Sequence, residues 1–151
     1  MKMILLIGIP ASGKSSFYLE RFFRTHIRIN LDMLKNRKRE EVMVNACLAA
    51  KQPFVVDNTN PTKDDRQRYI VPAEKAGFVA EAYYFETSLD DALRRNAARP
   101  SSERIPDKGI RNIYERLEAP SVKEGFDKLF MVRLNGKNGF LVKSIESSSK
   151  G

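Results

Sequence analysis

Apolar residues fall into two alternating arrangements along this chain. Met3 to Ile7 is an uninterrupted apolar run, the pattern of a strand buried on both faces. Phe54 to Val56 and Phe78 to Phe85 repeat that signal with β-branched and aromatic residues, and Ile27 to Ile29 is a shorter fourth candidate. The stretches between them have helical spacing. Ser15 to Phe23 reads as one helix and Arg39 to Lys51 as another; in the latter, Met43, Ala46, Cys47 and Ala50 recur on one face, which places Cys47 in the core. Strands alternating with helices predict an α/β fold around a mainly parallel sheet.

Punctuation residues extend the reading. Pro61 to Ala76 reads as a helix that Pro72 should kink or split and Gly77 should end. Ser88 to Arg99 is a clearer helix, with Ser88 as its cap, Asp90 and Asp91 in the first turn, and Pro100 as its stop. Arg99 to Pro106 reads as a mobile loop and Lys108 to Leu117 as a further helix. Leu129 to Leu134 and Phe140 to Ile145 flank the turn-rich Asn135 to Gly139 and predict a terminal strand pair. No internal repeat or second domain shows, so residues 1–146 are expected to form one domain and 147–151 a frayed tail.

Composition narrows the class. With 42% hydrophobic and 30% charged residues over 151 positions, wholesale disorder is excluded. The longest apolar stretch near the start is far short of the roughly 20 residues a spanning helix needs. Met1-Lys2 and the apolar run superficially resemble a signal peptide, but the residues that follow have a better use. One cysteine permits no intramolecular disulfide, and a cytoplasmic location is expected. Lys and Arg outnumber Asp and Glu by 27 to 19, a formal charge of +8, which becomes informative only if the cations gather beside a site.

Such a site begins at Gly8. Gly8-Ile9-Pro10-Ala11-Ser12-Gly13-Lys14-Ser15 fits G-x-x-x-x-G-K-[ST], directly after the first strand and opening the first helix. Gly8 and Gly13 let backbone N–H groups wrap around phosphate oxygens, with Pro10, Ala11 and Ser12 completing the loop and Ser16 entering the helix. Lys14 is expected to reach the β and γ phosphates of ATP, and the Ser15 hydroxyl to ligate Mg²⁺. The loop alone does not separate ATPase, GTPase and kinase. No N-K-x-D guanine-reading motif occurs, and about 130 residues after the loop leave little room for the added domains of motor ATPases. The kinase reading leads by default.

Three segments are candidates for the acceptor side. Asp32 follows Asn30-Leu31 and precedes Lys35, Arg37, Lys38 and Arg39. It reads either as the carboxylate that takes a proton from an acceptor hydroxyl or as a cap on the next helix. Asp57-Asn58-Thr59-Asn60-Pro61 sits at the carboxyl end of a strand, where open α/β sheets bind ligands. Asp57 is a candidate for the metal shell or for orienting the acceptor; the same stretch also reads as a capped turn. Arg95 and Arg99 share a helix face just before the mobile loop, where an arginine can meet charge developing on a transferred phosphoryl group, whereas Arg94 reads as solvated. His26, the only histidine, reads as a surface residue.

Taken in order, Gly8 to Ser15, Asn30-Leu31-Asp32, Asp57 to Pro61, Arg95-Asn96 with Arg99, and Tyr114 to Phe126 resemble the kinase module of the polynucleotide 5′-hydroxyl kinase family, from about Met3 to Phe130. The resemblance implies a P-loop fold of the adenylate-kinase-like type with an arginine-bearing lid near Arg95 to Arg104. It implies transfer of the ATP γ-phosphate to a DNA or RNA 5′-hydroxyl with Mg²⁺. On that basis Lys14, Asp32 and Arg99 are the catalytic residues, and Gly8, Pro10, Ala11, Ser12, Gly13, Lys14, Ser15, Ser16 and Arg95 bind ATP. Asp32, Lys35, Asp57, Thr59 and Asn60 meet the acceptor, and Ser15 and Asp57 hold the metal. Leu31 departs from the arginine usual before the aspartate, and Lys35 replaces an arginine that meets the acceptor phosphate in phage members. No D-x-D-x-T motif occurs, so 3′-phosphate removal is not expected. The alternatives are a kinase of a small hydroxylated metabolite, nucleoside or drug, and an ATP-dependent nucleic-acid-binding subunit without chemistry.

Overall fold

The apolar run at the start of the chain becomes the middle of a sheet. In the computed structural model, which describes residues 1–136 and 139–147, strand β1 (Lys2–Ile7) is buried from Met3 onward. It is followed by α1 (Lys14–Arg21), β2 (Ile27–Ile29), α2 (Leu31–Leu34), α3 (Arg37–Ala50), β3 (Phe54–Asp57), α4 (Lys63–Lys75) and β4 (Val79–Phe85). Then come α5 (Leu89–Ala97), a 3-10 turn (Ser101–Glu103), α6 (Asp107–Arg116), a second 3-10 turn (Val122–Glu124), β5 (Lys128–Leu134) and β6 (Phe140–Ser147). The sheet has six strands in the order β2-β3-β1-β4-β5-β6, parallel except for β6, which runs antiparallel to β5. The α/β expectation holds, and so does the terminal strand pair.

Side-chain alternation divides the core between the two sheet faces. Met3, Leu5, Ile7, Phe54 and Val56 point to the side covered by α3 and α4, where Val44, Cys47, Tyr69, Ile70 and Ala73 meet them. Ile4, Leu6 and Val55 point to the other side, against Phe17 and Tyr18 of α1. Phe17 is the pivot there: its ring lies 5.1 to 5.9 Å from those of Phe22, Tyr83, Phe85 and Phe140. Truncating such a ring to alanine costs about 3–5 kcal/mol. A smaller cluster of Ile9, Ala92 and Ile110 ties α5 and α6 to the loop after β1. Among the described residues no helix is long and apolar enough to cross a membrane.

Several boundaries differ from the sequence reading, each for a local reason. Helix α3 starts at Arg37 because the Asn36 side chain caps it by accepting from Arg39 N at 2.9 Å. Thr62 caps α4 in the same way, so the helix starts after Pro61 and not on it. Pro72 does not split α4. It lies in the last turn, where its missing N–H removes only the bond to the Arg68 carbonyl, and the Ala76 N–H still reaches the Pro72 carbonyl at 3.1 Å. Ser147, expected in a frayed tail, extends β6 and pairs with Lys128. Residues 148–151 of that tail, and Lys137 and Asn138 of the link before β6, lie outside the described residues. Ser88 caps α5 as expected, accepting from Asp91 N at 3.1 Å, and Cys47 is buried and unpaired.

Strand order sets the location of the site. From β1 the chain steps through β2 to β3 on one side, then crosses over to β4 on the other. The loops after β1 and β3 therefore lie side by side at the carboxyl edge of the sheet, where the order reverses and an open α/β sheet forms its ligand crevice.

Candidate active site

A cleft of about 340 Å³ opens at that edge. Its floor is Pro10 to Ser16, the end of the loop after β1 and the first residues of α1, and the backbone there requires glycine. Gly13 has φ +98°, and a Cβ on Gly8 would come within 2.9 Å of Phe85 Cβ. The Gly8 N–H donates to the Thr59 carbonyl at 3.1 Å, which fastens this loop to the one after β3. Lys14 lies over the loop with only 8% of its surface exposed. Its Nζ donates to the carbonyls of Gly8 and Ile9 at 2.9 and 2.8 Å and to Ser12 Oγ at 3.3 Å. Burial pushes the Lys14 ammonium down to about 8; Asp57 pulls it back up and Arg99 lowers it further.

Beyond the lysine is a compact polar corner. Ser15 Oγ donates to Asp57 Oδ2 at 2.9 Å, across 42 positions of sequence, and Asp57 is only 2% exposed. The Arg28 Nε donates to the same carboxylate oxygen at 2.8 Å and its Nη2 to Ser15 Oγ at 3.2 Å. Among the described residues no group of three or more His, Cys, Asp or Glu could hold a metal. A hydroxyl beside one buried carboxylate, with phosphates to supply the remaining ligands, is nevertheless a donor set that suits Mg²⁺. A guanidinium already resting on that pair shows that the corner accepts positive charge.

Asp32 lines the opposite wall and is held by its neighbours rather than by its own side chain. It does not cap the following helix: Asn36 caps α3, and Asn30 caps α2, accepting from Met33 N at 2.9 Å while its amide donates to the Asp57 carbonyl at 2.6 Å. The Leu31 N–H donates to Asn58 Oδ1 at 2.9 Å. The Asn58 amide in turn donates to the buried Glu40 carboxylate at 2.9 Å. Tyr69 and Arg37 also converge on Glu40, with O–H and Nη1 donating at 2.7 and 2.9 Å. Burial, with Glu40 adding to it, pushes the Tyr69 hydroxyl up to about 12, so it stays a donor.

Not every expected residue faces the cleft in the expected way. Lys35 does not line it; α2 ends there, and Arg37 takes the place on the wall. Asn60 borders the cleft, but its amide donates to the Leu6 carbonyl at 2.8 Å and so braces the loop after β3 against β1. Thr59 borders it too, with its carbonyl taken by Gly8. Arg99 lines the cleft, and Arg95 Nη1 lies at the long distance of 3.5 Å from the Ala11 carbonyl. The segment after Arg99 carries a 3-10 turn and is closed at its far end by Asn96, which exchanges hydrogen bonds with both backbone groups of Ile105 at 2.6 and 3.0 Å. Arg94 is exposed and pairs with Asp91 on its own helix. Four cations, Lys14, Arg28, Arg37 and Arg99, and three carboxylates, Asp32, Asp57 and Asp65, line one cleft.

Arg28, Glu40, Asp65 and Tyr69 are residues of the site that sequence reasoning missed. A signal existed for Glu40, which shares the buried helix stripe of Val44, Cys47 and Leu48 at i+4, i+7 and i+8. For Arg28 the only hint is its alternation with Ile29 on a three-residue strand.

Comparison with known proteins agrees with this geometry. The chain is 26% identical over 129 residues to the bifunctional polynucleotide phosphatase/kinase of Schizosaccharomyces pombe, a match covering 83% of this chain and 32% of that protein. It is 24% identical over 144 residues to the L-seryl-tRNA(Sec) kinase of Methanococcus maripaludis, covering 83% of this chain and 56% of that one. The chain thus spans less than two thirds of the length of these curated relatives. Among solved structures, a gluconokinase from Sinorhizobium meliloti 1021 superposes with a TM-score of 0.61 at 20% identity, covering 89% of this chain and 83% of that one. The family described as an AAA domain, AAA_33, matches residues 3–120. With phosphate loop, strand order and family match in agreement, the chain belongs to the AAA_33 family and carries the fold of a P-loop kinase.

Proposed function

We propose that this protein is a phosphotransferase that moves the γ-phosphate of ATP to a hydroxyl, with the 5′-hydroxyl end of DNA or RNA as acceptor. The observation that carries this reading is the meeting of Asp32 and Arg37 with Lys14 and Ser15 in one cleft. A proton acceptor and a cation for an anionic acceptor then face the phosphate loop. The net charge of +8 and the similarity to a polynucleotide phosphatase/kinase support the same choice.

In this reading the loop backbone, Lys14 and Ser16 hold the triphosphate. Ser15 and Asp57 would hold Mg²⁺, which would supply neutralising positive charge to the phosphates. The acceptor hydroxyl oxygen bonds to the γ-phosphorus as the bond to the β–γ bridging oxygen breaks. The hydroxyl proton passes to the Asp32 carboxylate, and ADP leaves with the bridging oxygen. Arg99 meets the charge on the transferring group.

A small-molecule acceptor is the second reading. It is favoured by Leu31, an apolar residue on the wall where the polynucleotide kinase pattern has arginine. Transfer of labelled γ-phosphate with Mg²⁺ to a 5′-hydroxyl oligonucleotide, beside the same strand already 5′-phosphorylated, decides between them. Label on the 5′-hydroxyl strand alone, with a KM that climbs steeply with salt, is the expected result. No label on DNA or RNA while ATP still binds would overturn the polynucleotide assignment.

A further inference from the structure

The corner formed by Ser15 and Asp57 is not open in this structure; the guanidinium of Arg28 rests on both. We propose that Arg28 is a tethered cation that holds the metal corner in the nucleotide-free protein, so that Mg²⁺ enters with the nucleotide and not before it. This rests on the reading of Ser15 and Asp57 as the metal corner.

The placement follows from the sheet. Arg28 pairs in register with Val55 on the neighbouring strand, while Ile29 beside it turns to the opposite face and is buried there. Arg28 therefore leans toward α1 and reaches the first turn of that helix. The two partners differ in freedom. Asp57 is 2% exposed and its carbonyl is held by Asn30, whereas the Arg28 side chain is 28% exposed and can withdraw toward solvent. The carboxylate stays and the arginine is the part that moves.

Charge and hydrogen-bond capacity both make the device competitive. The guanidinium must be displaced from the carboxylate to open the corner. Ser15 has one proton and two lone pairs; it gives the proton to Asp57 and a lone pair to Arg28. A divalent ion arriving alone has to displace a cation already 2.8 Å from the carboxylate oxygen. Nucleotide phosphates change that balance by offering Arg28 other anionic oxygens, and such coupling is reciprocal between nucleotide and metal.

The test is cation binding to the nucleotide-free protein, read as free Mn²⁺ by electron paramagnetic resonance, with ADP affinity measured calorimetrically in EDTA and across a Mg²⁺ series. Arg28→Gln is expected to tighten Mn²⁺ binding roughly tenfold and to lower the Mg²⁺ midpoint for ADP by a similar factor. Arg28→Lys, which keeps the charge, is expected to gain much less, and an equal gain would overturn charge competition. An unchanged or weaker Mn²⁺ affinity in Arg28→Gln, while Asp57→Asn abolishes the Mg²⁺ effect on ADP, overturns the role of Arg28 alone. A gain that survives in the Arg28→Gln, Asp57→Asn double variant puts the cation elsewhere and overturns the metal-corner reading with it.

Discussion

The Asn58 side chain joins the buried Glu40 carboxylate to the backbone beside Asp32: its amide donates to Glu40 at 2.9 Å and its carbonyl oxygen accepts the Leu31 N–H at 2.9 Å. The orientation of that amide is set by Glu40, which accepts from Asn58, Tyr69 and Arg37. Glu40→Gln puts an NH₂ group among donors and should turn the Asn58 amide or release it. A stability loss of about 1–3 kcal/mol is expected, with kcat reduced by at least tenfold and ATP affinity unchanged. Urea unfolding and steady-state kinetics check both parts, and an unchanged kcat would remove Glu40 from the positioning of Asp32.

Lys14 gives nucleotide binding a defined pH dependence. Its ammonium, brought to about 8 by burial, becomes progressively neutral as pH rises past that value in the free protein. Phosphates favour the charged form and raise the value in the complex, so binding takes up a proton above pH 8. Affinity for ADP should be flat below about pH 8 and weaken by up to about tenfold per unit above it. Calorimetric titrations from pH 6.5 to pH 9.5 would show this, and Lys14→Ala should abolish the slope together with most of the affinity.

Roles within the cleft separate by variant. Lys14→Ala and Asp32→Ala should each abolish phosphoryl transfer, but only Lys14→Ala should greatly weaken ATP binding, because the proposed function gives Asp32 the acceptor proton and no phosphate to hold. Transfer assays beside equilibrium nucleotide binding make the distinction. Substantial transfer by Asp32→Ala would end its assignment as the proton acceptor.

Behind the cleft, Arg66 is fully buried and paired with Glu124 at 2.8 Å, and its Nη1 also donates to the carbonyls of Asn60 and Glu118, each at 3.0 Å. It thus clamps the loop after β3 to the segment after α6. Glu124→Ala leaves an unpaired buried cation and should cost about 3–5 kcal/mol in chemical denaturation. Replacing both partners by apolar residues of similar size should cost less than the single change.

What the sequence alone determined is local in the chain. The phosphate loop is eight consecutive residues whose backbone needs are written as Gly8 and Gly13, and the central strand is a single apolar run. The Ser88 cap acts over three residues and was equally legible. The opposite wall of the cleft was decided by tertiary structure. Arg28 meets Asp57 across 29 positions, Asn58 meets Glu40 across 18, and Arg37 meets Tyr69 across 32. Arg37 and not Lys35 lines the cleft because α2 stops at Leu34 and Asn36 starts α3, a matter of two adjacent caps. Side-chain chemistry names which groups are able to pair, but only the packing of β2, β3, α3 and α4 brings a given pair within hydrogen-bond distance, and one residue of register on a strand sends a side chain to the other face.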